Sequence, residues 1–210
     1  MRKKILLLLS GGIDSATLLA KLNNEGYEII ALSFNYGQKH FIELNYASEL
    51  AKKYKVTEHI ILDIPIEGFS SSALVNKEIK TTEFNDFNNL PKEQVNSYVP
   101  FRNMIFLSFA LSIAESRKIQ KIFIAINKDD ANNYWDCSEE FIKNINLVSK
   151  MNTSISIESP LINLSKKEVV LLGKNLGIDF NQTISCYQPV DGVECGSCLS
   201  CIIKKEALNE

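Results

Sequence analysis

Near its N-terminus the chain runs Lys4-Ile5-Leu6-Leu7-Leu8-Leu9-Ser10-Gly11-Gly12-Ile13-Asp14-Ser15, and the fold class follows from these twelve residues. Its charge-free apolar run, residues 5–9, has the composition of a strand buried on both faces, as in a parallel sheet. Two glycines and a helix-starting pattern follow at once, so the stretch reads as strand, tight turn and helix. Gly11 and Gly12 carry no Cβ, which lets backbone N–H groups approach an anion closely. Ser10, Asp14 and Ser15 add hydroxyl and carboxylate groups beside the first helical turn, where N–H groups lack intrahelical partners. Such a turn is a ready cradle for phosphate. It lacks the spacing and lysine of a Walker A loop, and it is not the Gly-x-Gly-x-x-Gly dinucleotide pattern.

Beyond the turn, Leu18, Leu19 and Leu22 share a helical face and Gly26 ends that helix. Residues 29–34 read as a strand. Phe41, Leu44, Ala47, Leu50, Ala51 and Tyr54 recur at helical spacing, and 56–62 reads as a third strand. Strand alternating with helix predicts an α/β fold with a doubly wound parallel sheet. Residues 63–98 interrupt it with a polar insertion containing Pro65 and Pro91, expected on the surface, with a substrate lid as the alternative. Val99-Pro100-Phe101-Arg102-Asn103 opens an apolar helix over 104–116, and 121–126 is the fourth strand. The helix 138–150 is expected to bury Phe141, Ile142, Ile145, Leu147 and Val148. A short strand holds Ile155 and Ile157, and Ser165-Lys166-Lys167-Glu168 starts a further helix with a capping-box pattern. Ligands of such sheets sit beyond the carboxyl ends of the strands, which directs attention to residues 35–40 and 127–130.

The whole chain bounds its chemistry as well. With 23 basic and 25 acidic side chains in 210 residues the net charge is −2, which gives no electrostatic case for direct nucleic-acid binding. No apolar stretch approaches the roughly 18 residues needed to span a bilayer. The basic N-terminus and its apolar run stop too soon, at the phosphate loop, for a signal peptide, so a cytoplasmic protein is expected. Four of the five cysteines, Cys186, Cys195, Cys198 and Cys201, cluster near the C-terminus. In a reducing compartment this spacing points to metal, and four thiolates suit a closed, structural zinc site. An iron–sulfur cluster is the alternative. Cys137 stands apart, with no basic neighbour to depress its pKa, and reads as a core or pocket-lining thiol. His59 lies in an apolar strand pattern, whereas His40 follows Gln38 and Lys39 at a strand end, where contact with a ligand fits.

Ser10-Gly11-Gly12-Ile13-Asp14-Ser15 resembles the pyrophosphate loop of the ATP pyrophosphatases, enzymes that split ATP into AMP and pyrophosphate. Residues 36–40, 99–103, Asp136-Cys137 with Glu140-Phe141, Pro160-Leu161 with Ser165-Lys166, and Ser185-Cys186-Tyr187 with the later cysteines narrow the resemblance. In that order they resemble the QueC family of 7-cyano-7-deazaguanine synthases over almost the whole chain. The resemblance implies an adenine-nucleotide α-hydrolase-like, Rossmann-like domain over 1–180, and a zinc-binding segment with a helix over 181–210. It also implies ATP and Mg²⁺ as cofactors, a homodimer, and a deazapurine carboxylate and ammonia as partners. On that footing Ser10, Gly11, Gly12, Asp14 and Ser15 bind ATP, and Asp14, Arg102 and Lys166 are the catalytic candidates. Tyr36, Gln38, His40, Arg102, Asn103, Tyr134, Asp136 and Cys137 border the substrate, and the four clustered cysteines hold the metal.

One departure stands out. The family pattern Tyr-Pro-Asp-Cys-Arg-Pro is here Tyr134-Trp135-Asp136-Cys137-Ser138-Glu139, which removes a cation and frees the backbone. That leaves open a relative that stops at the amide or passes the activated acyl group to another amine, including one on a protein. A nucleotide-binding module without turnover is the reading from another class.

Overall fold

The computed structural model describes residues 2–91 and 94–209. Met1, Glu210 and two residues of the predicted insertion, Lys92 and Glu93, lie outside the described residues. The first apolar run forms β1 (Lys4–Leu8), and the glycine turn leads into α1 (Ile13–Asn24). β2 (Glu28–Asn35), α2 (Glu43–Lys53) and β3 (Glu58–Asp63) follow in sequence. After the insertion come α3 (Arg102–Ser116), β4 (Lys121–Phe123), α4 (Glu139–Lys150) and β5 (Ser156–Glu158). α5 (Lys166–Asn175) and α6 (Leu199–Leu208) close the order.

All five strands are parallel, in the order β3-β2-β1-β4-β5. The central position of β1 explains its composition, because Ile5, Leu6 and Leu7 are fully buried. Side chains of a strand alternate between faces. Leu6 and Leu8 therefore join Ile30, Leu32 and Phe34 beneath Leu107, Ala110 and Ala114 of α3 and Phe141 and Ile145 of α4. Ile5 and Leu7 face the other way, against Leu18, Leu19 and Leu22 of α1, Leu50 of α2 and Val169 of α5. Each such aliphatic side chain contributes on the order of 1.5–3 kcal/mol by leaving water.

Several local details differ from the reading of the sequence. Leu147 and Val148, expected on the buried side of α4, are each 55 % exposed. Phe141, Ile145 and Ser149, one turn apart, are the buried residues of α4, Ile142 packs partly buried against the same core, and the Ser149 hydroxyl donates to the Ile155 carbonyl at 2.8 Å. Phe41 is exposed because it precedes α2 rather than lying on its inner face. β4 is half the expected length. It pairs with β1 only at Leu6↔Ile122 and Leu7↔Phe123, after which the two strands part and residues 124–126 run on beside the gap. The insertion has an apolar anchor, Ala73-Leu74-Val75, buried in the core and tied by a bond from Lys39 N–H to the Leu74 carbonyl at 2.9 Å.

The capping box at α5 is present, with Ser165 and Glu168 each bonding the other's backbone N–H. α5 crosses α1 where Gly173 stands. A Cβ there would lie 2.5 Å from Phe180 Cζ and 2.7 Å from Thr17 Oγ1. Gly173→Val is therefore expected to destabilise the protein by about 1–3 kcal/mol through overpacking. A urea titration with an unchanged midpoint would contradict this helix contact.

Candidate active site

The gap between the parting strands is a cleft of about 240 Å³, reaching from the glycine turn to a group of aromatic side chains. Both ends are built from segments that leave the carboxyl edge of the sheet.

At the first end, Gly12 caps α1 and no side chain bonds the helix's opening amides. Those N–H groups and the positive end of the helix dipole are thus available to an anion. Ser10 and Ser15 hydroxyls lie 3.1 Å apart at the mouth. Gly11, at φ +84°, does not line the cleft, but a Cβ there would sit 2.5 Å from the Glu43 carbonyl. Only glycine lets α2 pack so close to the turn. From α5, Lys166 reaches the Asp14 carboxylate at 2.5 Å, and its own N–H donates to Asp129 Oδ2 at 2.8 Å. Burial works against the Lys166 ammonium, but Asp14, Asp130 and Asp129 outweigh it and raise its pKa above the ordinary lysine value. Asp14 Oδ1 is buried with no partner.

Asp130 stands midway along the cleft. Asn127, fully buried, donates to Asp130 Oδ2 from its side chain at 2.8 Å and its backbone at 3.2 Å. Burial pushes the Asp130 carboxyl up to about 6, the charge of Asp14 adds to the rise, and Lys166 opposes it.

The second end holds Tyr36, His40, Arg102, Asn103, Tyr134, Cys137 and Tyr187. Arg102 donates to the Tyr36 hydroxyl at 3.2 Å and has no carboxylate within ion-pair distance among the described residues. Burial acts against its charge, yet Tyr36, Tyr134, Tyr187 and Asp136 hold its pKa above the ordinary arginine value. Burial keeps the phenols of Tyr36, Tyr134 and Tyr187 neutral, and a hydroxyl chain links Ser97, Tyr134 and Tyr187 at 3.0 and 3.3 Å. His40 Nε2 meets Glu43 at 3.2 Å, and its Nδ1 is buried without a partner. Burial, with Asp130 and Asp136, pushes the Cys137 thiol well above its usual range, so it is poorly suited to act as a nucleophile.

Two residues expected at the substrate serve its supports instead. Gln38 spends its amide on the loop, accepting from Tyr36 N–H at 2.7 Å and donating to the Phe34 carbonyl at 3.0 Å and Glu43 at 2.9 Å. Asp136 accepts from Asn103 N–H at 3.0 Å, in the first turn of α3. Neither lines the cleft. Trp135 and Ser138 lie outside it as well. Trp135 faces outward, bonding the Tyr98 hydroxyl at 2.6 Å, and Ser138 caps α4 by accepting from Phe141 N–H at 3.1 Å. Asp130, Glu43, Ser185 and Tyr187 line the cleft, although the sequence reading assigns none of them to the site. Asp130 lay in a stretch marked only by its place after a strand, and Tyr187 beside a cysteine assigned to metal.

The four clustered cysteines converge, their sulfur atoms all within 4.8 Å of one another. A tetrahedral thiolate site with bonds near 2.3 Å needs sulfurs about 3.8 Å apart, so the group fits a metal after small adjustment. Backbone N–H groups of Cys195 and Gln188 already point at Cys186 Sγ, at 3.2 and 3.4 Å, and that of Cys198 at Cys195 Sγ at 3.3 Å. The segment also forms a wall of the cleft. Ile184 N–H bonds the Gly11 carbonyl at 3.1 Å, and Ser185, Tyr187 and Ser200 line the space. Phe84 of the insertion donates to the Ser197 carbonyl at 2.8 Å.

A family model described as "Queuosine biosynthesis protein QueC" matches residues 4–210. Curated relatives named 7-cyano-7-deazaguanine synthase include those of Rickettsia bellii, 43 % identical over 99 % of this chain and 94 % of theirs, and Rickettsia prowazekii, 44 % identical over 99 % and 95 %. Among solved structures, NMN synthetase from Francisella tularensis superposes with a TM-score of 0.51 at 18 % identity, covering 93 % of this chain and 71 % of that one. A predicted subunit of tRNA methyltransferase from Methanocaldococcus jannaschii gives 0.54 at 18 % identity, over 82 % and 76 %. These two likenesses concern the fold. No helix among the described residues is long and apolar enough to cross a membrane.

The raised carboxyl of Asp130 has a consequence for stability. Its folded pKa, about 6, lies above the ordinary 3.8, so the folded state binds this proton more tightly than the unfolded chain. That contribution is complete at low pH and is lost as pH rises through about 6. Asp130→Asn is therefore expected to melt higher than the parent at pH 8 and level with it near pH 4. A gain at pH 4 that vanishes at pH 8 would reverse the assignment.

Proposed function

Since the chain belongs to the QueC family, we propose that it is an ATP-dependent, AMP-forming ligase that converts 7-carboxy-7-deazaguanine and ammonia to 7-cyano-7-deazaguanine. The observation that carries this reading is the single cleft that joins an uncapped helix N-terminus to an arginine set among aromatic side chains.

A carboxylate is a poor electrophile, so one of its oxygens must first acquire a good leaving group. Attack of the substrate carboxylate on the α-phosphorus of ATP releases pyrophosphate and leaves an acyl adenylate. In this reading the amides opening α1, with Ser10, Gly12 and Ser15, receive the departing pyrophosphate. Lys166 lies beside them with its charge secured. Asp14 Oδ1, buried without a partner, is the oxygen that suits Mg²⁺ accompanying the nucleotide. When bound, Mg²⁺ would offset charge on the phosphates. Arg102 faces the acid, and Tyr36, His40, Asn103, Tyr134 and Cys137 border the deazapurine. Ammonia then displaces AMP to give the amide, and a second activation at the amide oxygen permits elimination to the nitrile.

The altered segment around Trp135 does not favour a different acceptor, because neither Trp135 nor Ser138 reaches the cleft. We assign the cysteine cluster to zinc in a structural role, since four sulfur ligands leave no open position for water. The homodimer belongs to the same reading and is supported by an outward apolar strip that includes Met104, Trp135 and Val148, each at least 40 % exposed.

Incubating the protein with ATP, Mg²⁺, 7-carboxy-7-deazaguanine and ammonium should yield AMP, pyrophosphate, the amide and then the nitrile by mass spectrometry. Absence of AMP would count decisively against the reading, and accumulation of amide alone would limit it to one activation. Cys198→Ser should lose most of its zinc, lower the melting temperature by about 5–10 °C and weaken ATP binding through the Ile184–Gly11 contact. A variant with full zinc content and an unchanged melting curve would contradict the metal assignment.

A further inference from the structure

The reaction proposed above consumes an amine, and this inference rests on that reading. Near neutral pH, dissolved ammonia is mostly ammonium, which has no lone pair with which to attack. Something in the cleft must either exclude ammonium and wait for the scarce free base, or bind ammonium and take its proton.

The acidic groups around the cleft are not equivalent. Asp14 is paired with Lys166 at 2.5 Å, and Lys166 is thereby committed. Glu43 is held by Gln38 and His40 at 2.9 and 3.2 Å, and Asp136 is spent on the start of α3. Asp130 differs from all three. Its Oδ2 is fixed by Asn127, and the described residues supply no partner to its Oδ1 and no cation within ion-pair distance. It lines the cleft at the joint between the two ends. On one side it feels the charges of Lys166 and Asp14; on the other its own charge acts on Tyr134, Cys137 and Tyr187. An adenylate whose phosphate lies next to the pyrophosphate held at the glycine turn, with its deazapurine ring among the tyrosines, would place the acyl carbon near this joint. A lone carboxylate there suits a small cation.

We propose that Asp130 binds ammonium in the cleft and accepts its proton, releasing the amine for attack on the acyl adenylate. One N–H bond of ammonium breaks and its proton passes to Asp130 Oδ1. The freed lone pair forms the new C–N bond at the acyl carbon. The C–O bond to AMP then breaks with its electrons on the phosphate, and the second proton lost by nitrogen leaves with AMP. The groups facing Asp130 are Asp14 of α1, Lys166 of α5, Asp129 and Asn127 of its own loop, and Tyr134, Cys137, Tyr187 and Arg102 across the cleft. A carboxyl raised to about 6 is ionised at neutral pH yet basic enough to share a proton.

Hydroxylamine separates this role from the chemistry before it. It is a far weaker base than ammonia, is unprotonated near pH 7, and needs no acceptor before attack. The full chain, as wild type and Asp130→Asn, is given ATP, Mg²⁺ and 7-carboxy-7-deazaguanine with either ammonium or hydroxylamine. In Asp130→Asn, amide formation from ammonium should fall about 100-fold or more, and hydroxamate formation at least about tenfold less than that. With total ammonium, wild-type kcat/KM should stay nearly level between about pH 7 and 9, whereas the variant should climb roughly tenfold per unit because it relies on free ammonia. Equal losses with both nucleophiles would overturn the proposal. So would a wild-type slope already as steep as the variant's, a measurement that needs no substitution at all. A higher Mg²⁺ requirement with an unchanged ratio between nucleophiles would make Asp130 a metal ligand and overturn it too. No AMP and no hydroxamate from the wild type would bring down the underlying reading, an outcome distinct from all of these.

Discussion

β1 and β4 share only two ladder pairs before they separate, and the site depends on that separation. The chain has used the positions on one side of β1 for β2 and β3, so β4 must enter on the other side. Helices therefore leave the sheet in opposite directions at this point, α1 toward one face and α3 lying over the other. Among the described residues the space between them at the carboxyl edge is left open as the cleft, the place where open sheets of this kind hold ligands. Hydrophobic burial on both faces keeps the strands rigid just below the gap. The cleft is in this sense a product of topology before it is a product of any particular side chain.

The charges placed in the gap are the costly part. Lys166 and Asp14 are both largely withdrawn from water, and a buried ion pair is weak evidence for stability because desolvation offsets its attraction. Asp130, its carboxyl raised to about 6 chiefly by burial, stands beside them with no ion-pair partner among the described residues. A protein selected only to be stable would have placed apolar groups at this seam. Their retention fits preorganisation, with the uncapped amides of α1, Lys166 and the Asp130 carboxylate held in fixed positions around the cleft. Asn127 shows how this is done, since one buried amide holds the Asp130 carboxylate and also accepts from the N–H groups of Asp129 and Asp130.

The cysteine segment is more than a distant clasp. It contributes Ile184, Ser185 and Tyr187 to the wall of the cleft, and its loop pairs with Glu83 and Phe84 of the insertion. Ordering of the C-terminal loop, of the insertion and of the aromatic end of the site is thereby coupled. Four thiolates brought together without a cation would repel one another, which gives a bound metal leverage over all three regions.

The sequence alone determined the parts of this protein that rest on local pattern. The uninterrupted apolar run before Ser10-Gly11-Gly12 reads as a strand buried on both faces that feeds a tight turn and a helix, and the spacing of Cys186, Cys195, Cys198 and Cys201 announced their convergence. Periodicity placed the helices, and Ser165 with Glu168 marked the start of α5. The tertiary structure alone decided which side of a short turn each residue takes. Trp135 and Ser138 adjoin Asp136 and Cys137 in sequence, yet only Cys137 of the four lines the cleft, because a single 3₁₀ turn sends neighbouring side chains in different directions. Likewise Asp129 and Asp130 are indistinguishable as letters. One accepts from the first N–H of α5 and the other, held by Asn127, lines the cleft, since burial and charge pairing are set by what the rest of the chain brings near, and no local pattern encodes that.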